Sequence, residues 1–391
     1  MTLPPPPGSF GPQPPNPGET GGGAPHTWPQ YSSGPTPPPP AGPPPWGPQQ
    51  QWPNGPTPPP DGGGGKAKWV LGGLAVVLAI ALAVVVTVLV VRPDNGRGAS
   101  AKGEPDSASS EFASADDTGA VSIITDDPTC DAWNKLLNEY SSIVNGERWD
   151  DRDVNVPASS WSPEQRAMYE SVGQAMSRVS DQAERLAKTT PHRLMRILYE
   201  QYIAYSRAFV ERIPSYAPQD DSLVSASNSA ASSLANICGA ILYRSAQAAA
   251  ALVQPVPGPD VIPVPNASVS SMQLLKPDSI CADWDAMVES FSNETEAWRS
   301  IDKNIPASDW TREQKSINDA VGPIMTENAD RIQDLGRKSD DPSVEDIALL
   351  AAQYRRAFVV ANSTYKGSDS YLALSATNLV RLVTAACKSA S

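Results

Sequence analysis

The sequence predicts an all-α protein with a disordered Pro-rich tail, one transmembrane helix and two tandem four-helix-bundle-like repeats, each with one disulfide. Three observations lead to this fold class: a low-complexity beginning, one long apolar run and an internal duplication. No stretch shows the alternation of apolar and polar side chains that is typical of a half-buried strand. The predicted divisions are a tail (1–65), a transmembrane helix (69–91), a flexible stalk (92–127), repeat 1 (128–250), a Pro-rich linker (251–278) and repeat 2 (279–391).

The tail carries too little apolar surface to fold. Of the 41 prolines in the chain, 24 lie in residues 1–60, where Gly and Gln are also frequent. Burial in such a segment cannot offset the conformational entropy lost on ordering, so we expect disorder with polyproline II character. Two interpretations stay open: a docking strip for a cytoplasmic partner that recognises polyproline II, or a low-complexity spacer.

The apolar run from Trp69 to Val91 contains 23 residues and no charge. As a helix it is about 34 Å long, enough to cross a hydrocarbon core of about 30 Å. A signal peptide is a poorer interpretation, because the run is long and 68 residues precede it. Lysines and arginines flank both ends, so they do not set the orientation. All four cysteines follow the span, which favours a cytoplasmic N-terminus and a C-terminal part in an oxidising compartment.

The charge of the chain argues against several classes of partner. The net charge of −13 falls entirely on residues 69–391, because the first 68 residues carry two acids and two lysines. An acidic exported part without a basic run disfavours nucleic acid and anionic lipid. The chain has two histidines, too few for the common metal sites, so we expect neither a metal nor a cofactor.

The strongest pattern in the sequence is the duplication. Cys130-Asp-Ala-Trp133 returns as Cys281-Ala-Asp-Trp284, 151 residues later. From Trp149 onward the offset is 149 residues, and it holds without a gap as far as Cys238 and Cys387. Chance similarity would not keep one register over most of a domain. We therefore interpret the exported part as two copies of one domain, joined by a Pro-rich linker that is semi-rigid by composition.

The sequence of each copy predicts four helices. The second helix begins with a capping signal in both copies: Ser162 with Gln165 three residues later, and Thr311 with Gln314. In an up-down-up-down bundle the start of helix one and the end of helix four lie at the same end.

The four cysteines occupy those helix ends. This placement predicts the bonds Cys130–Cys238 and Cys281–Cys387, because the duplication then gives each copy the same bridge. The alternatives are free thiols or a zinc site. Zinc is disfavoured because no cysteine has a second ligand at short spacing.

Two repeated sets of side chains are the candidate sites. The first comprises Asp181 with Arg207 and Asp330 with Arg356, interpreted either as a structural ion pair between helices two and three or as a ligand contact. The second is a possible aromatic groove, formed by Trp161 and Trp310, whose alternative role is to anchor a loop to the bundle.

Catalytic machinery is not expected. No HExxH, P-loop, GxSxG or dinucleotide-binding glycine pattern occurs in the exported part. His192 is the one histidine available there for acid–base chemistry, and we interpret it as a solvated residue at a helix start. We therefore predict that the protein is not an enzyme and has no catalytic residues.

The layout of residues 1–127 resembles a type of membrane protein common in mycobacteria and related actinobacteria. The resemblance covers the Pro/Gly/Gln-rich tail, the lysine-flanked span beginning Lys66-Ala-Lys68-Trp69 and the Ser/Asp-rich stalk. It implies a single-pass protein of a bacterial plasma membrane, facing the cell-envelope space.

The function expected from this layout is non-enzymatic binding or scaffolding outside the membrane. The partner would be an envelope protein, a lipid or a wall component, and the protein could form oligomers. The alternative is a signalling or regulatory subunit whose tail docks a cytoplasmic partner.

Overall fold

The structure is a computed structural model, and it describes residues 111–265, 274–277 and 279–390. Every regular element in these ranges is helical, apart from one isolated antiparallel bridge between Val121 and Val256. The all-α prediction is therefore confirmed. The predicted tail and transmembrane helix lie outside the described residues. Within the ranges given above, none of the helices has the length and apolar character that crossing a membrane requires.

Both predicted repeats are present, and each contains four long helices and one short helix. Repeat 1 contains α1 (Cys130–Gly146), α2 (Pro163–Thr189), α3 (Arg193–Arg212), α4 (Asp221–Leu242) and the short α5 (Ser245–Ala250). Repeat 2 contains α6 (Cys281–Glu294), the short α7 (Glu296–Arg299), α8 (Arg312–Gly336), α9 (Pro342–Ala361) and α10 (Ser370–Ala390). Short 3-10 turns lie at Trp149–Asp151, Ala158–Ser160, Ile213–Ser215, Pro218–Asp220, Ala307–Asp309, Asn362–Thr364 and Gly367–Asp369.

The second helix of each repeat begins where the capping signals predict. The Ser162 hydroxyl accepts from the Gln165 backbone N–H at 3.2 Å, and the Gln165 side chain accepts from the Ser162 N–H at 3.0 Å. Thr311 and Gln314 make the same two bonds at 3.1 and 2.9 Å. The reciprocal bonds satisfy two backbone donors that a helix start otherwise leaves unpaired.

The disulfides join Cys130 to Cys238 and Cys281 to Cys387, as predicted. Each bond ties the first residue of its repeat's first helix to the fourth long helix near its end. The closed segments have sequence separations of 108 and 106 residues. The two repeats are therefore closed in the same way.

The two repeats share one core, whereas the sequence predicted two bundles in tandem. Helix α4 packs along α10, so the same element of each copy meets its equivalent in the other. Helices α3 and α9 lie in the interior: every residue from Arg193 to Ser206 and from Asp346 to Arg355 is buried. The small side chains of α4 follow from this packing, because two helices approach closely only where alanine, serine or glycine lies between them.

At Gly239 of α4 the two helices approach each other closely. A Cβ atom at this position would lie 2.5 Å from two carbon atoms of the Tyr371 ring on α10. The same ring stacks on Tyr243 with centroids 5.4 Å apart. The close approach of the two repeats here therefore requires glycine.

The variant Gly239→Ala is expected to lower the free energy of unfolding by about 1–3 kcal/mol, because a well-packed interface tolerates added volume poorly. Urea unfolding followed by circular dichroism measures this. Combining it with Tyr371→Ser, the residue found at the equivalent position of repeat 1, should recover most of the loss. Gly322→Ala is the control, since no atom lies within 4 Å of its Cβ position. Equal effects of the two alanines would contradict the packing argument.

Residues 111–127, here called the lead segment, form part of the core instead of a flexible stalk. Phe112, Val121 and Ile124 are buried. The backbone of Val121 pairs with Val256 through two hydrogen bonds of 2.8 and 3.0 Å. The stalk prediction is therefore wrong for these residues. A Ser/Asp-rich composition is typical of a spacer, but the apolar side chains near the end of this segment are buried in the core.

Candidate interaction site

The predicted Asp–Arg pairs form in both repeats, between the second and third helices. Arg207 donates to Asp181 at 2.8 Å, and Arg356 donates to Asp330 at 2.7 Å. The two aspartate side chains are 70 % and 62 % exposed, so the pairs lie at the surface. Exposed pairs of this kind contribute about 0–1 kcal/mol to stability. The geometry therefore contains the structural ion pair in both repeats.

The two predicted groove tryptophans hold loops in place. Trp161 stacks on Tyr169 with centroids 3.9 Å apart, and its Nε1 donates to the Val156 carbonyl at 2.9 Å. Trp310 stacks on Tyr365 and donates to the carbonyl five residues earlier at 3.0 Å. In both repeats the indole thus closes the turn before the second helix. Trp161 is buried by these contacts.

A buried polar contact forms around Arg193, the first residue of α3, which is 1 % exposed. Its Nε and Nη2 donate to the two carboxylate oxygens of Asp346 on α9, at 2.8 and 3.0 Å. Its Nη1 donates to the backbone oxygen of Asp117 at 2.6 Å, and its backbone N–H donates to the Asp117 carboxylate at 2.7 Å. One arginine therefore joins repeat 1, repeat 2 and the lead segment.

Burial and charge act in opposite directions on this pair. Burial alone would lower the pKa of the Arg193 guanidinium, but the hydrogen bonds and charge of Asp346 raise it above its usual value. Burial raises the pKa of the Asp346 carboxyl, and the hydrogen bonds and charge of Arg193 counter that increase. A buried pair of this type adds little net stability, but it fixes which surfaces can meet, since either partner alone would be an uncompensated charge.

Two further arginines attach the lead segment and the linker to the repeats. Arg196 on α3 donates to the Ser114 hydroxyl at 3.1 Å and to the Pro263 carbonyl at 2.7 Å. Arg337, just after α8, donates to the Pro257 carbonyl at 2.6 Å. The described part of the linker is therefore bonded to both repeats and does not hang free.

The contacts of Arg193 with Asp346 and Asp117 are here called the junction, and a cleft of about 160 Å³ opens beside it. His192 lies in its wall, with Nε2 2.8 Å from the Asp126 carbonyl oxygen. Among the described residues, no group of His, Cys, Asp and Glu is arranged to hold a metal ion. The lining is largely polar and suits a hydrogen-bonding group of a partner. Its residues are Asp117, Ala120, Ser122, Ile123, Ile124, Thr125, His192, Arg193 and Leu194.

Sequence reasoning missed the residues that form the junction. In the register of the duplication, Arg193 corresponds to Pro342 and Asp346 corresponds to Ile197. Each charge is therefore present in one copy only. A charge that occurs in one copy only is a signal that could have identified these residues. If such a charge is buried, it requires a partner outside its own copy.

The fold and the junction define a class of protein: two disulfide-closed helical repeats joined by buried charges into one unit. Residues 112–391 match the model of the family described as Mycobacterial ESX-1 associated protein, and the chain belongs to this family. It is also 41% identical, over 349 residues, to an uncharacterised protein of Mycolicibacterium smegmatis (strain MKD8). That alignment covers 88% of this chain and 91% of the relative. No solved structure matches the chain.

These similarities confirm the actinobacterial origin inferred from the layout of the chain, since both the family and the relative are mycobacterial. The alignment with the relative covers more of the chain than the family match does. It therefore includes part of the region before residue 112, where the predicted tail and span lie.

Proposed function

We propose that this chain is a non-enzymatic, membrane-anchored scaffold or binding protein of the mycobacterial envelope that works with the ESX-1 secretion system. The observation that carries the proposal is the extent of the family match. It covers residues 112–391, which contain every helix of both repeats in the described ranges. The association expressed in the family's description therefore belongs to the helical unit, including its lead segment.

The architecture suits a binding platform. Two disulfides and the Arg193–Asp346 pair hold the repeats and the lead segment in one arrangement. A preorganised surface binds a partner with little loss of conformational entropy, which favours affinity. The titratable groups that the sequence suggested as candidate site residues make structural contacts. Asp181 and Asp330 pair with arginines, and His192 contacts a backbone carbonyl.

The membrane anchor in this proposal is the predicted helix 69–91, with the helical unit outside the plasma membrane. Disulfides persist in oxidising compartments and are rare in the cytosol, so the two bonds support an extracytoplasmic unit. The lead segment then connects the span to the repeat junction, because Arg193 and Arg196 bind it directly.

Deleting the gene in a mycobacterium that carries it should reduce the export of ESX-1-dependent proteins, measured by mass spectrometry of the culture filtrate. The full chain should restore export, and so should the control Asp181→Asn, which alters only a surface ion pair. A variant lacking both disulfides should not restore export, because the helical unit would be less stably folded. Unchanged export in the deletion strain would overturn the proposal.

A chain lacking residues 1–60 separates scaffolding from signalling. Full restoration of export by this chain, with the same cross-linked envelope partners, is the result expected of a scaffold. Loss of both would assign the function to the Pro-rich tail and a cytoplasmic partner instead.

A further inference from the structure

Repeat 2 contains a buried arginine without a counter-ion. Arg355 on α9 is 2 % exposed, and its Nε and Nη1 are buried without a hydrogen-bond partner in the described part of the chain. Its guanidinium carbon lies 4.4 Å from the centre of the Phe291 ring on α6. Burial lowers its pKa to about 10, so the group remains charged at neutral pH. A positive charge is thus held in the core against an aromatic face alone.

Repeat 1 shows how the same space is filled without a charge. The residue equivalent to Arg355 is Ser206, which bonds to the Ser227 hydroxyl at 2.7 Å. One turn earlier, Tyr202 of repeat 1 corresponds to Ala351. Repeat 2 therefore has its large side chain at position 355 and alanine one turn earlier, whereas repeat 1 has serine and tyrosine at these positions. Packing alone explains a long side chain here, but an apolar one would fill the space without a buried charge.

Two more arginines near α6 have no acidic partner within the described ranges. Arg299 donates to the backbone oxygen of Ser292, the residue after Phe291, at 2.6 Å. Arg381 on α10 is partly buried, and its pKa is lowered by that burial and by the charge of Arg299. Arg299 and Arg381 are therefore close enough for their positive charges to repel each other.

An isolated buried charge is costly, because desolvation removes its hydration without replacement. Folded proteins normally supply an anion or neutralise the group, and a guanidinium cannot be neutralised readily. We propose that Arg355 is the anchor of a small-oxyanion site in repeat 2, closed at the surface by Phe291 and taking a phosphate-type or carboxylate-type anion. The ligand displaces the partly buried Phe291 ring and accepts the N–H bonds that the protein leaves unmade.

Titration of the purified full chain with sodium phosphate, at constant ionic strength, tests the site. A tenfold excess over the dissociation constant should raise the melting temperature by roughly 3 °C. Arg355→Ser, which installs the residue of repeat 1, should abolish the rise. Arg355→Lys keeps the charge and should retain part of it, which covers the case in which the serine variant folds poorly.

The matched control is Arg356→Ser, which removes the adjacent arginine of the same helix and the same charge. Arg356 lies at the surface and pairs with Asp330, so this variant should respond to phosphate like the wild type. Parallel titrations with sulfate and acetate distinguish tetrahedral from carboxylate anions, and a response to either supports the site. No stabilisation of the wild type by any of the three anions relative to chloride would overturn the proposal, as would an undiminished response of both Arg355 variants.

Discussion

Replacing Cys130 and Cys238 together by serine is expected to lower the free energy of unfolding by about 4–5 kcal/mol. The bond closes a segment with a sequence separation of 108 residues, and a long closed loop restricts the unfolded chain strongly. Because the two repeats share one core through α4 and α10, the loss should weaken the whole unit. Urea unfolding monitored by circular dichroism and by tryptophan fluorescence measures the effect.

The second repeat provides an internal comparison. Serine at Cys281 and Cys387 should cost nearly as much, because that bond spans 106 residues. A reducing agent should destabilise the wild type by the combined amount and should leave the variant without cysteines unchanged. A loss below about 1 kcal/mol in both paired variants would show that the bonds do not limit the unfolded chain.

Asp346→Asn is expected to lower the free energy of unfolding by about 3–5 kcal/mol, because it leaves Arg193 buried without its main counter-charge. Asp346 is completely buried and receives two hydrogen bonds from that arginine. The variant should also loosen the lead segment, since Arg193 binds Asp117 as well. Hydrogen exchange of the backbone amides in residues 111–127 would then become faster.

The control for this variant is Asp330→Asn, the same chemical change at a surface pair with Arg356. It should cost at most about 1 kcal/mol. The double variant Arg193→Met with Asp346→Ile, which restores the apolar residue of repeat 1 at the second position, should recover most of the stability. Equal losses for Asp330→Asn and Asp346→Asn would contradict the assignment of the buried pair as the joint between the repeats.

The differences between the two copies concern function as well as stability. Repeat 1 contributes the arginine of the junction, and repeat 2 contributes its aspartate and the unpaired Arg355. The two copies are therefore not interchangeable, although their helices, capping bonds and disulfides correspond. Repeat 1 holds the lead segment through Arg193 and Arg196, and repeat 2 carries Arg355.

The local and repeated features of this protein can be predicted from its amino-acid sequence. The helix starts at Ser162 and Thr311 follow from side chains that bond to backbone groups three residues away. The disulfide pairs follow from the duplication together with the antiparallel order of four helices. Even the ion pairs at Arg207 and Arg356 were foreseeable, since they recur at the same offset of 149 residues.

The way in which the two copies pack against each other could not be predicted from the sequence. The Arg193–Asp346 pair joins residues 153 positions apart, and neither residue has a charged equivalent in the other copy. The burial of Val121 and Ile124 depends on a surface that exists only once the helices are packed. Arg355 is likewise an ordinary helical arginine in the sequence, and its burial against Phe291 arises only from the packing of α9 against α6. Hydrophobic periodicity reports which face of a helix is buried, but it does not report against what, because that depends on contacts between distant parts of the chain.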